Sequence, residues 1–374
     1  MEKRKKTKTI QLPKRFDVLK GIFLLMTFFN IASWYFPKAI NWYRMQVFPV
    51  WTNTLARVMS VFPFSVGEIL IYTGIFFLII GFFLFWCYIL KIKRTNKFGK
   101  VYFEILCWIL LWVYLTETLN CFVLYHATTV EQQFFDNKTY SNQELLAVYE
   151  ELITQANALS LQMQRDSNGN VIYQRNQMYQ ECKKAMKHLG RKYPYLSGYY
   201  PNPKPIIFSD FMSQQYLCGI YFPFTLESNY NTTMYIMNDP ATICHEFSHL
   251  KGVILEDEAN YFGFAACIQS QNKFLQYSGY LSVLSYVGQE VKKNATESEI
   301  ASLTKANDYV RKDIVFLTKD SWNKVEKKAV VSTKTANAVT DKFLQSNLKM
   351  NGVSDGMVSY SRVVRLVLDY YKGK

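Results

Sequence analysis

Asp239-Pro240-Ala241-Thr242-Ile243-Cys244-His245-Glu246-Phe247-Ser248-His249 is the stretch on which the reading of this chain turns. Aspartate is a favoured helix N-cap and proline suits the first helical position, so the segment predicts a helix opening at Asp239. Residues four apart then share one face, and His245 and His249 can point both imidazoles at a single ion. Glu246, next to the first histidine, can reach a water at that ion. Zinc acidifies such a water towards a pKa of ~7 and polarises a carbonyl, while a carboxylate takes the proton and passes it to a leaving amine. The spacing therefore predicts the parts of an amide hydrolase: His245 and His249 as zinc ligands, Glu246 as general base and then acid.

A catalytic zinc keeps three protein ligands and one open position, so a third donor is needed. The continuation, Leu250-Lys251-Gly252-Val253-Ile254-Leu255-Glu256-Asp257-Glu258-Ala259-Asn260, offers it. Gly252 is placed to end the helix, and Glu256 and Glu258 to open another running to about Tyr277. The chain has 4 histidines. The two outside the pentad, His126 beside an apolar stretch and His188 in a lysine-rich helix, read as bystanders.

The hydrophobic share of 49% and aromatic share of 17% over 374 residues exceed what an ordinary soluble domain carries, so part of the chain must face lipid. Three apolar stretches, Val18–Phe36, Ile69–Leu90 and Val101–Tyr125, each approach the ~20 residues that a helix needs to cross a bilayer. The net charge of +14 is concentrated with them. Residues 1–126 hold 16 Lys/Arg against 5 Asp/Glu, leaving 27 against 24 for the remainder.

The basic residues cluster from Lys3 to Lys20 and at Lys91, Lys93, Arg94, Lys97 and Lys100, directly beside apolar segments. That pattern orients spans rather than tracking phosphates, which argues against a nucleic-acid partner. With both clusters cytoplasmic, the N-terminus is cytoplasmic and residues 127–374 form an extracytoplasmic domain after a membrane anchor at 1–126. The first stretch reads as a retained anchor, because no small-residue cleavage site follows it. Glu104 and Glu117 lie within the third stretch, where carboxylates can mark ion paths. Three spans with so few polar groups make a poor transport pathway. The cysteine count of 7 is odd and shows no disulfide framework; Cys218, Cys244 and Cys267, near the pentad, read as small buried apolar residues.

Beyond the spans the pattern is mostly helical. Ser141 with Glu144 and Thr296 with Glu299 form capping boxes, the first opening a helix to about Arg165. A second helix runs from near Val171 to Gly190, and amphipathic stretches extend to about Leu348 and from Met357 to Tyr371. Pro205–Phe208, Gly219–Phe224 and Thr233–Asn238 read as short strands between polar turns.

The chain resembles the DUF3810 group of bacterial multi-spanning membrane proteins, in which an HExxH metallopeptidase-like motif stands out. The resemblance rests on Phe64-Ser65-Val66-Gly67-Glu68, Ser209-Asp210, Gly219-Ile220-Tyr221-Phe222-Pro223-Phe224, and His245 to Gly252. It continues through Glu256-Asp257-Glu258-Ala259-Asn260 to Ser359-Tyr360-Ser361-Arg362-Val363-Val364. The glutamate-rich segment is also similar to the Glu-x-x-Ala-Asp element of CAAX-processing and HtpX-like membrane proteases. That resemblance implies Glu256 as third ligand and position 260 as the residue that orients a ligand histidine. Here it is Asn260 rather than aspartate, and the spacer after His249 is shorter, so Glu258 stays a rival to Glu256.

The expected fold is mainly α: three N-terminal transmembrane helices and a mostly helical, zincin-like metallopeptidase domain with a small β-sheet. The expected function is a multi-pass cell-membrane zinc metalloendopeptidase acting on a peptide or protein substrate. Tyr360, Arg362 and Tyr221 are candidates to stabilise an oxyanion, and Gly219–Phe224 is a candidate edge strand for a peptide. The alternative is a membrane protein that keeps the zinc site for structure or sensing in the cell envelope and cleaves nothing. Oligomeric state is open.

Overall fold

The computed structural model describes residues 14–92, 96–135, 139–351 and 360–372. The leader before residue 14, Lys93 and Arg94, Met357, Ser359 and the side chain of Tyr360 lie outside the described residues.

Three helices are long and apolar enough to cross a membrane: Phe16–Ser33, Val66–Ile89 and Lys97–His126, the last ending in a 3-10 turn at Phe122–His126. In chain order these are the first, second and third candidate spans, called spans below. The first packs on the third, with Phe23 5.1 Å from Tyr114 between ring centroids and Thr27 hydrogen-bonded to the same tyrosine at 3.1 Å. The second also packs on the third, where Tyr102 stacks on Phe77 at 4.4 Å.

The first span stops at Ser33 rather than Phe36, because Pro37 opens a new helix. The segment between the first and second spans carried no clear pattern in the sequence. There Pro37–Trp42, a π-helical turn at Tyr43–Val47 and the helix Phe48–Met59 form an almost continuous helical rod. Its residues Ile40, Tyr43, Phe48 and Ala56 are buried in the same core as the residues after 126.

That core lies among the helices Asn142–Ser160, Arg175–Leu189, Asp239–His249, Glu256–Ile268, Lys273–Asn294 and Tyr360–Lys372. Both capping boxes form, at Ser141–Glu144 and Thr296–Glu299. Several helices are shorter than expected. The first ends at Ser160, not Arg165, and the second begins at Arg175, not Val171. The helix from Glu256 ends at Ile268, and Asn272 caps a new one by accepting from the Phe274 N–H at 3.0 Å. After Thr296 the amphipathic stretch breaks into Glu297–Ser302, Asp308–Asp313, Lys319–Lys328 and Thr333–Met350. At two of the breaks, Asn307 and Thr318 act as fresh N-caps.

The sheet has three strands, β1 (Lys204–Pro205), β2 (Gly219–Phe222) and β3 (Glu227–Tyr230), in the order β1-β3-β2. β1 runs parallel to β3, and β2 pairs with β3 antiparallel from Gly219 opposite Tyr230 to Phe222 opposite Glu227. The expected strand at Thr233–Asn238 is not one; it ends in a 3-10 turn at Ile236–Asn238, with the Asn238 side chain bonded to the Tyr235 and Val315 carbonyls. β3, with the polar sequence Glu-Ser-Asn-Tyr, is buried throughout.

The second span and the sheet explain that burial. Glu227 accepts from the N–H groups of Val66 at 3.0 Å and Gly67 at 2.6 Å, and pairs with Lys204. Glu68 in turn accepts from the N–H groups of Ile207 at 2.9 Å and Phe208 at 3.0 Å. Ser65 caps the same helix end through the Glu68 N–H. Each carboxylate thus satisfies orphan backbone donors of the other element. A Cβ on Gly67 would collide with the Phe222 ring, so glycine lets the sheet sit directly on the span.

Candidate metal centre

The helix Asp239–His249 begins one residue earlier than its sequence suggests. Asn238, with helical φ and ψ, occupies the N-cap position and Pro240 lies in the first turn. Asp239 is therefore inside the helix rather than capping it, because the preceding 3-10 turn already holds the chain in helical geometry. Its carboxylate is buried 3.6 Å from the Arg175 guanidinium, and burial pushes it up to about 8.

The far end closes on glycine. The Gly252 N–H donates to the His249 carbonyl at 3.0 Å and the Val253 N–H to the Ser248 carbonyl at 3.1 Å, with Gly252 at φ +76. This is a Schellman turn, which a left-handed glycine makes without steric cost. Its consequence for the site is direct: the turn aims the Val253 carbonyl back at His249 Nδ1, 2.7 Å away.

A carbonyl only accepts, so His249 carries its proton on Nδ1. Burial keeps the ring neutral, lowering its pKa to about 4, and leaves Nε2 as a lone pair. His245 is held in the same sense, with Nδ1 3.0 Å from Asn260 Oδ1. The two Nε2 atoms face each other at 3.0 Å. Glu256 completes the group, one oxygen 3.2 Å from His245 Nε2 and the other 3.7 Å from His249 Nε2.

Two ring nitrogens and a carboxylate converging this closely call for a positive charge between them. A proton is one answer: burial opposes it on His245, but the Glu256 carboxylate outweighs burial and raises that imidazole to about 9. A divalent ion is the other, and engages all three lone pairs at once. Tetrahedral zinc with bonds near 2.05 Å separates neighbouring donors by about 3.3 Å, close to the distances here. The residues therefore fit a zinc-like ion.

Glu246 is the fourth member. One donor atom each from His245, Glu246 and His249 lie within 4.8 Å of one another. Glu256 lies against both imidazoles, whereas Glu246 approaches His245 only to 4.0 Å. Glu246 Oε2 is buried without a hydrogen-bond partner, and burial pushes its carboxyl up to about 8. A buried carboxylate oxygen without a partner is costly unless a ligand or a water supplies one. The Glu256 side chain is 40% exposed, so the group opens to its surroundings on that side.

The family described as "Protein of unknown function (DUF3810)" matches residues 43–368. The chain belongs to this family. No curated protein and no solved structure matches it. The matched region of this DUF3810 chain holds the second and third spans, the sheet and the whole histidine–glutamate group.

Glu258, Arg362 and Tyr221 each have a partner of their own. Glu258, the rival ligand, accepts from the Val130 N–H at 2.6 Å, and burial pushes it up to about 8. Arg362 lies on Asp257, with Nε 2.6 Å from the carboxylate, one residue from Glu256. Tyr221 comes nearer, its ring centroid 6.0 Å from that of His249, while its hydroxyl donates to the Asn120 carbonyl at 3.2 Å.

Two glycines of the DUF3810 chain matter here and carried no signal of their own in the sequence. A Cβ on Gly219 would lie 2.5 Å from Glu246 Oε1, so glycine lets β2 pass against the carboxylate. A Cβ on Gly263 would lie 2.7 Å from the Ala241 carbonyl, so glycine there lets the helix Glu256–Ile268 close onto the histidine helix. Both roles depend on elements distant in sequence.

Proposed function

We propose that this protein is a membrane-anchored zinc peptidase with a zincin-like domain. His245, His249 and Glu256 hold the metal. The convergence of two Nδ1-pinned imidazoles and one carboxylate carries the reading. Zinc at this place would supply Lewis acidity, acidifying water towards a pKa of ~7 and polarising a carbonyl.

The protein groups do the rest. Glu246 accepts a proton from the attacking water through its unpartnered oxygen and delivers it to the departing amine. Its burial disfavours the charged form, so a proton that it takes from the water is readily passed on only to a basic group such as the departing amine. Asn260 and the Val253 carbonyl keep the imidazoles in one tautomer and orientation. Asp257, paired with Arg362, steadies the start of the helix that carries Glu256.

On this reading the three apolar helices cross the cell membrane, with the basic leader and the Lys91–Lys100 connection cytoplasmic and the metal centre on the opposite side. Metal analysis of detergent-purified protein and hydrolysis of a peptide library test the proposal. One bound zinc per chain is expected, with activity lost on chelation and restored by zinc. Protein that carries one zinc yet cleaves nothing would instead favour a structural or sensory site, for which the amide of Asn260 in place of a carboxylate is the supporting feature.

A further inference from the structure

We propose that the substrate of this centre is a chain held in the same bilayer, cut in the segment that leaves the lipid and reached along β2. The inference rests on the peptidase reading and names its substrate class.

The turn between β2 and β3 does not stop at the ends of the spans but sits among them. Phe222 covers Gly67 at the start of the second span. Asn120, near the end of the third, donates from its side chain to the Pro223 carbonyl at 2.8 Å. The Phe224 ring lies 6.2 Å from that of Trp112 in the third span, a position about 12 Å back along the helix from Asn120 at 1.5 Å per residue. Phe208 lies 4.8 Å from Tyr72, about 9 Å into the second span by the same rise.

Beside this tip, Ile207, Phe208 and Phe211 are 62%, 53% and 49% exposed. Such a patch, joined to the second span through the Phe208–Tyr72 contact, is covered by the lipid that covers that span.

The other end of the same strand is at the chemistry. Gly219 passes against Glu246, and a four-residue strand covers about 10 Å, so β2 runs from the general base to the lipid-level turn within that distance. It is also an edge of the sheet, where an extended segment can pair. A segment emerging from the bilayer beside β2 is thus carried along the strand towards Glu246. Shared anchorage also raises the local concentration of substrate.

The test uses the full chain in liposomes with one cleavable segment in three forms: free, fused directly to a transmembrane helix, and fused through a 20-residue flexible spacer, a length chosen as roughly several strand lengths. The expected result is at least a tenfold faster cut of the direct fusion than of either other form. Equal rates for the direct and spaced fusions overturn the proposal, because anchorage alone would then explain the gain. Equal rates for free and fused segments overturn it too, while leaving the peptidase reading intact. Failure to cut any form removes both.

A second readout needs no activity. Ile207→Cys and Leu161→Cys place thiols at sites of similar exposure, 62% and 70%, the second at the C-terminal end of the helix Asn142–Ser160. A charged maleimide should label the Ile207 variant at least tenfold more slowly in liposomes. Equal labelling would show that lipid does not cover the patch.

Discussion

His245 and His249 present their Nε2 atoms to each other at 3.0 Å, while their Nδ1 atoms are held from behind by Asn260 and by the Val253 carbonyl. The opposed lone pairs follow from the helix repeat, but the holding groups come from the next turn and the next helix. Those groups should therefore tune affinity for the ion without being ligands.

Asn260→Ala should weaken zinc binding by about 10–100-fold, as loss of a partner behind a metal-bound histidine does, and Asn260→Asp should match or exceed the parent. Competition against a chelator of known affinity measures both. Unchanged binding in the alanine variant would mean that His245 is oriented by packing alone.

Gly252→Ala puts a Cβ on a residue at φ +76, 3.1 Å from the Arg44 side chain. The strain should cost about 1 kcal/mol or more and lower the unfolding temperature. Because the same turn aims the Val253 carbonyl, zinc affinity should fall as well. A variant with parental stability would contradict the assigned Schellman geometry.

Gly67→Ala forces the Phe222 ring away from the second span. Overpacking of this kind costs about 1–3 kcal/mol, and here it acts on the joint between span and sheet. The expected signs are a lowered unfolding temperature and faster proteolysis of the Gly219–Tyr230 hairpin. Unaltered proteolysis would show that the joint is looser than its hydrogen bonds imply.

Asp239 is raised to about 8 by burial, with Arg175 pulling the other way. An acid whose folded value exceeds its unfolded one, near 3.9, stabilises most when protonated. Its contribution is complete below about pH 4 and is lost as pH rises towards 8. In metal-free protein, Asp239→Asn should therefore flatten the fall in unfolding temperature over that window relative to the parent. Parallel curves for the two proteins would place the titration elsewhere.

What could be read from the sequence was whatever depends on neighbours along the chain. The spacing of His245 and His249, the glycine after them, both capping boxes and the apolar lengths of the three spans are local patterns, and the fold is mainly helical with a small sheet and three apolar helices. β3 was hidden because Glu227 and Asn229 look like loop residues. They are buried because Glu227 meets the Val66 and Gly67 N–H groups, over 150 residues away, and Asn229 bonds within the sheet. Thr233–Asn238 failed the opposite way: its short apolar run, Met234 to Met237, resembles a strand, yet the chain there is already turning into the histidine helix. Arg362 carries a charge suited to an oxyanion, and nothing local could show that it also pairs with Asp257.

The most direct test of the account is Glu246→Gln beside the parent, both purified in detergent and analysed for zinc and for peptide hydrolysis. The amide keeps the shape but cannot carry the proton, so the variant should retain about one zinc per chain and lose hydrolysis by about 100-fold or more. A variant that holds zinc and cleaves as fast as the parent would contradict the role assigned to Glu246, and absence of zinc from both proteins would contradict the metal centre itself.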